Sequence, residues 1–150
     1  MESLNCKSLM IGDWVKWKDK YVQIATISGI VYSFGHIDVE IAHCGSGLIE
    51  RHDLKSISPI PLTPETLERN GFERHITAPC GYYHAPAIGM YDVLFHASED
   101  SYEDTWHTEV FTDHNDNNFV LYNLCHVHEL QHALRLCGLN DLADNLKLEE

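Results

Sequence analysis

Glycines and charged turns cut residues 9–58 into short extended segments, and this constrains the fold more than anything else in the chain. Gly12-Asp13 leads into the alternating run Trp14-Val15-Lys16-Trp17, and Lys18-Asp19-Lys20 is a charged turn. Tyr21–Ser28 alternates until Gly29. Ile30–Phe34 and Ile37–Ala42 lie either side of Gly35, and Gly45-Ser46-Gly47 turns the chain into Leu48-Ile49. Strands this short, repeating about every ten residues, indicate a small antiparallel barrel or a strongly bent sheet. The expected topology is an SH3-like barrel.

Ser58-Pro59-Ile60-Pro61-Leu62 then forms a proline-stiffened, extended hinge. Thr63 is placed to cap a short helix that starts at Pro64, carries Glu65 and Glu68 near its positive end and stops at Gly71, with Phe72 folding back onto Leu67. His75–Pro86 reads as irregular. Ile88–His96 and Thr105–Thr112 read as strands joined by the acidic Ala97–Asp104 loop, Asp113–Asn118 as a turn cluster and Phe119–Asn123 as a third strand. A helix from about Leu124 to Cys137 stops at Gly138, and Asn140–Leu148 is either a further short helix or a closing strand. The expected fold class is α+β: an N-terminal SH3-like barrel, a short helix, a three-stranded antiparallel sheet and a C-terminal helix. Residues 1–60 would form a small β-barrel-like lobe and 61–150 an α+β lobe, or the two would form one continuous domain of 150 residues.

The charge is lopsided. Residues 1–76 hold eight Lys/Arg against ten Asp/Glu, whereas 77–150 hold two against thirteen, a net of −11 of the chain's −13. From Asp92 to Asp116 there are eight acids and no Lys or Arg. Such a field repels phosphate backbones, which disfavours direct nucleic-acid binding, and suits a basic partner, cations or simple solubility. No apolar run is long enough to span a bilayer, and Met1–Ser8 has no secretory signal pattern. The five cysteines, Cys6, Cys44, Cys80, Cys125 and Cys137, are odd in number and lack a C-x-x-C pair, which suits reduced thiols in a cytosol.

One segment spells out recognisable chemistry. His128-Glu129-Leu130-Gln131-His132 has the form H-E-x-x-H, which on a helix sets two imidazoles one turn apart beside a carboxylate. On a wheel advancing about 100° per residue, Val127, Leu130, Leu134 and Cys137 form one apolar stripe, and His128 and His132 fall on another face. In a zincin-type hydrolase His128 and His132 would bind Zn²⁺ and Glu129 would act as general base on the metal-bound water. With eleven His and twelve Glu, chance alone produces such a match with a probability of about 6%. A catalytic zinc also needs a third protein ligand. Arg135 and Gly138 occupy the positions where a metzincin would continue, so the ligand would come from upstream: His114, His107, His126 or Asp113.

Other constellations are weaker. Asp113–Asn118 echoes half of a calcium loop, but Asn118 stands where glycine is needed and Leu124 where glutamate is needed. His43-Cys44 with Cys80 or His84 would make a metal cluster only if folding joined them. Cys125 and Cys137 read as small buried residues, and Trp14, Trp17 and Tyr21 as core and rim of the barrel.

Pro59-Ile60-Pro61-Leu62-Thr63-Pro64-Glu65 leading to Asn70-Gly71-Phe72, together with Val127-His128-Glu129-Leu130-Gln131-His132-Ala133-Leu134, resembles a group of small uncharacterised bacterial and phage proteins. That group shares an I-P-L-T…G-F helix and a terminal V-H-x-L-Q helix. The resemblance implies a strand-rich N-terminal part. Members often have Gln at the position matching Glu129 and Asn at that matching His132, which implies a packing motif. No activity comes with it. The leading expectation is a cytosolic, non-enzymatic accessory or interaction protein, without cofactor, whose acidic face binds a basic partner. The alternatives are a zinc-dependent metallopeptidase-like hydrolase and an acidic nucleic-acid mimic.

Overall fold

The computed structural model describes residues 9–31, 36–43, 46–76, 81–84, 91–97, 106–112 and 115–148. The chain divides into two compact units, Met1–Ile60 and Pro61–Glu150. It is an α+β protein: the described residues form two five-stranded antiparallel sheets, with helices near the C-terminus. No helix among the described residues is long and apolar enough to cross a membrane.

The first unit contains β1 (Trp14–Trp17), β2 (Lys20–Val31), β3 (His36–His43), β4 (Ile49–Asp53), a 3₁₀ turn at Leu54–Ser56 and β5 (Ile57–Ser58), in the order β4-β3-β2-β1-β5. Gly29 does not end a strand. Instead β2 runs through it, and the β2–β3 register slips between Ile24 and Thr26 and again between Ser28 and Val31. Such irregularities bend and twist a strand without ending it. The two-residue turn Lys18-Asp19 has positive φ at both positions (44° and 62°), the mirror-image geometry whose twist suits a tight hairpin.

Alternation sets the core. Val15, Val22, Ile24, Val39 and Ile41 are almost fully buried in one cluster with Leu9, Leu54 and Ile57. Each such side chain contributes about 1.5–3 kcal/mol by leaving water. The expected SH3-like barrel is corrected to an open sheet: among the described residues β4 and β5 remain its two edges. Closure requires paired edges with a consistent stagger. β5 is two residues long and, among the described residues, pairs only with β1.

The second unit contains α1 (Pro64–Arg69), β6 (Glu73–Ile76), β7 (Gly81–His84), β8 (Tyr91–Ala97), β9 (Trp106–Thr112), β10 (Asn115–Leu124), α2 (Val127–Leu136) and α3 (Asn140–Asp144). Its sheet is a meander in the order β10-β9-β8-β7-β6. The expected three strands are therefore five. Glu-Arg-His-Ile and Gly-Tyr-Tyr-His carry too little apolar alternation to stand out. Pairing with a neighbouring strand satisfies their backbone groups whatever the side chains are. The expected turn at Asp113–Asn118 is likewise overtaken from Asn115, where β10 begins, although its register slips between Asn115 and Phe119. An extended strand there does not curl as a calcium loop must.

Capping chemistry places the helices. Thr63 Oγ1 accepts the Thr66 N–H at 3.3 Å, and Pro64 opens α1. Past α1, Gly71 (φ 81°) donates to Glu68 O and Phe72 to Leu67 O. Past α2, Gly138 (φ 76°) donates to Arg135 O and Leu139 to Leu134 O. Both are Schellman stops, in which glycine takes the left-handed position at little steric cost. Two buried amides hold the C-terminal segment. Gln131 Nε2 donates to Ala143 O at 2.9 Å, and Asn70 both donates to Lys147 O (3.0 Å) and accepts from Lys147 N (2.7 Å). Asn140–Asp144 is thus helical, and Leu146–Leu148 follows as an irregular segment.

Candidate functional site

The H-E-x-x-H segment lies on α2, with His126 as its N-cap. Glu129 occupies the third helical position, and its Oε2 accepts the backbone N–H of Cys125 at 2.7 Å and of His126 at 2.9 Å. The same oxygen is 3.4 Å from His126 Nδ1. This is the reverse half of a capping box, which satisfies N–H groups that the helix itself cannot. His128 is 2% exposed, its ring stacked on His126 with centroids 5.6 Å apart. His132 is half-buried and meets His128 edge-on at 6.0 Å.

The wheel expectation that both rings lie off the core contact is therefore corrected for His128. The buried arc of α2 is wider than the apolar stripe, because the helix contacts both α3 and β10 and Gln131 is fully buried against α3. Of the expected third ligands, His107 lies in β9 opposite His96, and His114 and Asp113 lie outside the described residues. Among the described residues, no trio of His, Cys, Asp or Glu ligand atoms within 4.8 Å of one another includes His128 or His132. At the other end of α2, burial pushes the Cys137 thiol up to about 11, so it is no nucleophile at neutral pH.

Such a trio does form on the β3–β4 hairpin, from His43, Glu50 and His52. The strands place it. Ile41 and His43 alternate on β3, Glu50 and His52 alternate on β4, and the register pairs Ile41 with Glu50 and Val39 with His52. Opposed residues of an antiparallel pair share a face, so the three polar side chains continue the face that Val39 and Ile41 bury. The ends of the two strands are tied together: His43 N donates to Leu48 O at 3.0 Å, Leu48 N donates to Ser46 Oγ at 3.2 Å, and Gly47 takes φ +66°.

The two imidazoles converge on one oxygen. His43 Nε2 is 3.3 Å and His52 Nε2 3.2 Å from Glu50 Oε2. Trp17 walls the group, its ring 4.2 Å from that of His52 and 5.5 Å, edge-on, from that of His43. β1 and β4 are not hydrogen-bonded neighbours, so the bend of the sheet brings Trp17 there. Trp17 also packs against the core cluster, and Lys18 Nζ sits 4.5 Å over its ring. The histidine side chains are 17% and 19% exposed and that of Glu50 is 41% exposed, so the group is largely covered yet reachable. The hydrogen bond from His52 holds the Glu50 carboxyl below its ordinary value; partial desolvation opposes this, and His43 adds to the lowering.

Inward-pointing polar groups on an edge strand discourage pairing with a second chain. Two ring nitrogens and a carboxylate oxygen on one centre also make a donor set for a borderline divalent metal. Sequence reasoning singled out His43 but joined it to Cys44, Cys80 and His84. Cys44 and Cys80 lie outside the described residues, and His84 is in β7 of the other unit. Glu50 and His52 were missed. The available signal was a Glu-x-His alternation just after a Gly-Ser-Gly turn, facing a histidine just before it. Compared with protein-family models, curated proteins and solved structures, the chain matches none.

Proposed function

We propose that this protein is a small cytosolic, non-enzymatic interaction protein whose Pro61–Glu150 unit binds a basic protein partner. One observation carries the reading. The Met1–Ile60 unit holds six Lys/Arg and seven Asp/Glu, a net of −1, while Pro61–Glu150 holds four and sixteen, a net of −12. A field of one sign raises the local concentration of an oppositely charged partner and speeds its capture.

The engagement of Glu129 with two backbone N–H groups supports a structural role for the hydrolase-like segment over a catalytic one. The residues that carry the resemblance to small bacterial and phage proteins are likewise structural. Thr63 caps, Gly71 stops and Phe72 returns at α1, and Val127, Leu130 and Gln131 are buried on α2.

The test is calorimetric titration with a lysine-rich polypeptide at about 50 mM and about 200 mM salt, a range over which screening shortens markedly. Binding that weakens steeply with salt, and is lost when the eight acids between Asp92 and Asp116 are changed to their amides, supports the reading. Absent binding, or binding indifferent to salt, overturns it.

A further inference from the structure

The geometry points to a second, separate capacity: His43, Glu50 and His52 form a binding site for one divalent transition-metal ion of the zinc class, walled by Trp17. Three observations carry it. First, the ligand atoms converge. Zinc holds nitrogen and carboxylate oxygen at about 2.0–2.2 Å, so two ligands on a tetrahedral ion stand about 3.3–3.5 Å apart. The two Nε2···Oε2 separations are 3.3 and 3.2 Å, and all three ligand atoms lie within 4.8 Å of one another, so small side-chain rotations bring them around one ion.

Second, the scaffold is rigid where the ligands attach. All three side chains stand on two adjacent paired strands, and Trp17 packs on both rings, which restricts their rotamers. Third, the donor types choose the ion. Imidazole favours zinc and its neighbours in the first transition row, whereas magnesium and calcium take oxygen ligands.

The proton balance closes without a co-reactant. Each neutral ring that donates from Nε2 to Glu50 carries its single proton there. On binding, that proton moves through solvent to Nδ1 and Nε2 becomes the ligand. The carboxylate exchanges two hydrogen bonds for one metal bond. Three protein ligands leave a coordination position for water or a partner's side chain.

The experiment uses the full chain, freed of metal by chelation, titrated with zinc alone in competition with a chromophoric chelator, while imidazole ring signals are followed by NMR. One zinc per chain is expected, unaffected by excess magnesium. The ring signals of His43 and His52 should shift while those of His128 and His132 stay in place. Glu50→Gln, which keeps the shape, should weaken binding by at least about tenfold. His52→Ala should weaken it by more than about a hundredfold, since even groups behind the ligands are worth about 10–100-fold. Failure to take up zinc overturns the site, as does uptake that moves the α2 histidines and leaves those of the hairpin unshifted. The ring signals of the unmodified chain decide this even where a variant fails to fold.

Discussion

Two histidine groups in this protein invert the expectation that a motif brings. On α2, His128, Glu129 and His132 have the spacing of a metal-binding helix, yet the carboxylate closes the helix N-terminus and His128 is buried. On the β3–β4 hairpin, His43, Glu50 and His52 match no motif, yet their ligand atoms lie within 4.8 Å of one another. Spacing along a helix decides which side chains share a face. It does not decide whether their polar ends meet at a point. Cross-strand register does that on the hairpin, because it brings a third group from a different strand.

The largest effect that would sharpen this contrast is in the core of α2. In metal-free protein, His128→Ala is expected to cost about 2–4 kcal/mol, the range for emptying a packed position. His52→Ala, at a position only partly covered, is expected to cost less, about 1 kcal/mol. Urea melts of the two variants measure this directly, and equal costs would break the contrast.

Next comes the cap. Glu129→Ala should destabilise by about 1–2 kcal/mol, because two N–H groups at the start of α2 lose a charged acceptor. Glu129→Gln should recover part of the loss through its amide oxygen. A side chain poised as a catalytic base would show neither effect in a stability measurement.

The smallest effect concerns the far end of the same helix. Cys137 has its thiol raised from 9.0 to about 11 by burial, so the unfolded chain loses that proton first. Its contribution is full below pH 9.0 and declines as pH rises towards about 11. The stability difference between the native chain and Cys137→Ala should therefore be flat below pH 9.0 and shrink above it. A difference that stays constant through this window would place the thiol in solvent.

Local signals were legible along the chain. Thr63-Pro64 and Gly71 mark α1, Gly138 marks the end of α2, and Lys18-Asp19 marks a hairpin, because a cap or a tight turn is decided within a few residues. β6 and β7 were not legible, since strands of such polar composition form only when a neighbour accepts them. Nor was the merging of Tyr21–Ser28 with Ile30–Val31 across Gly29, which depends on β3 lying alongside. The hairpin trio was hidden for the same reason. Glu50 and His52 reach His43 by pairing and Trp17 by the bend of the sheet, and neither has a linear signature.

By itself, the sequence determined the α+β composition, the capped helices, the apolar stripe of α2 and the concentration of negative charge in the second half, because each depends on residue type and short-range spacing. Tertiary structure decided the use to which the polar side chains are put. A carboxylate serves whichever donors folding brings within about 3 Å. For Glu129 these are the two backbone N–H groups that lead into its own helix, and for Glu50 two imidazoles, one of them on the neighbouring strand.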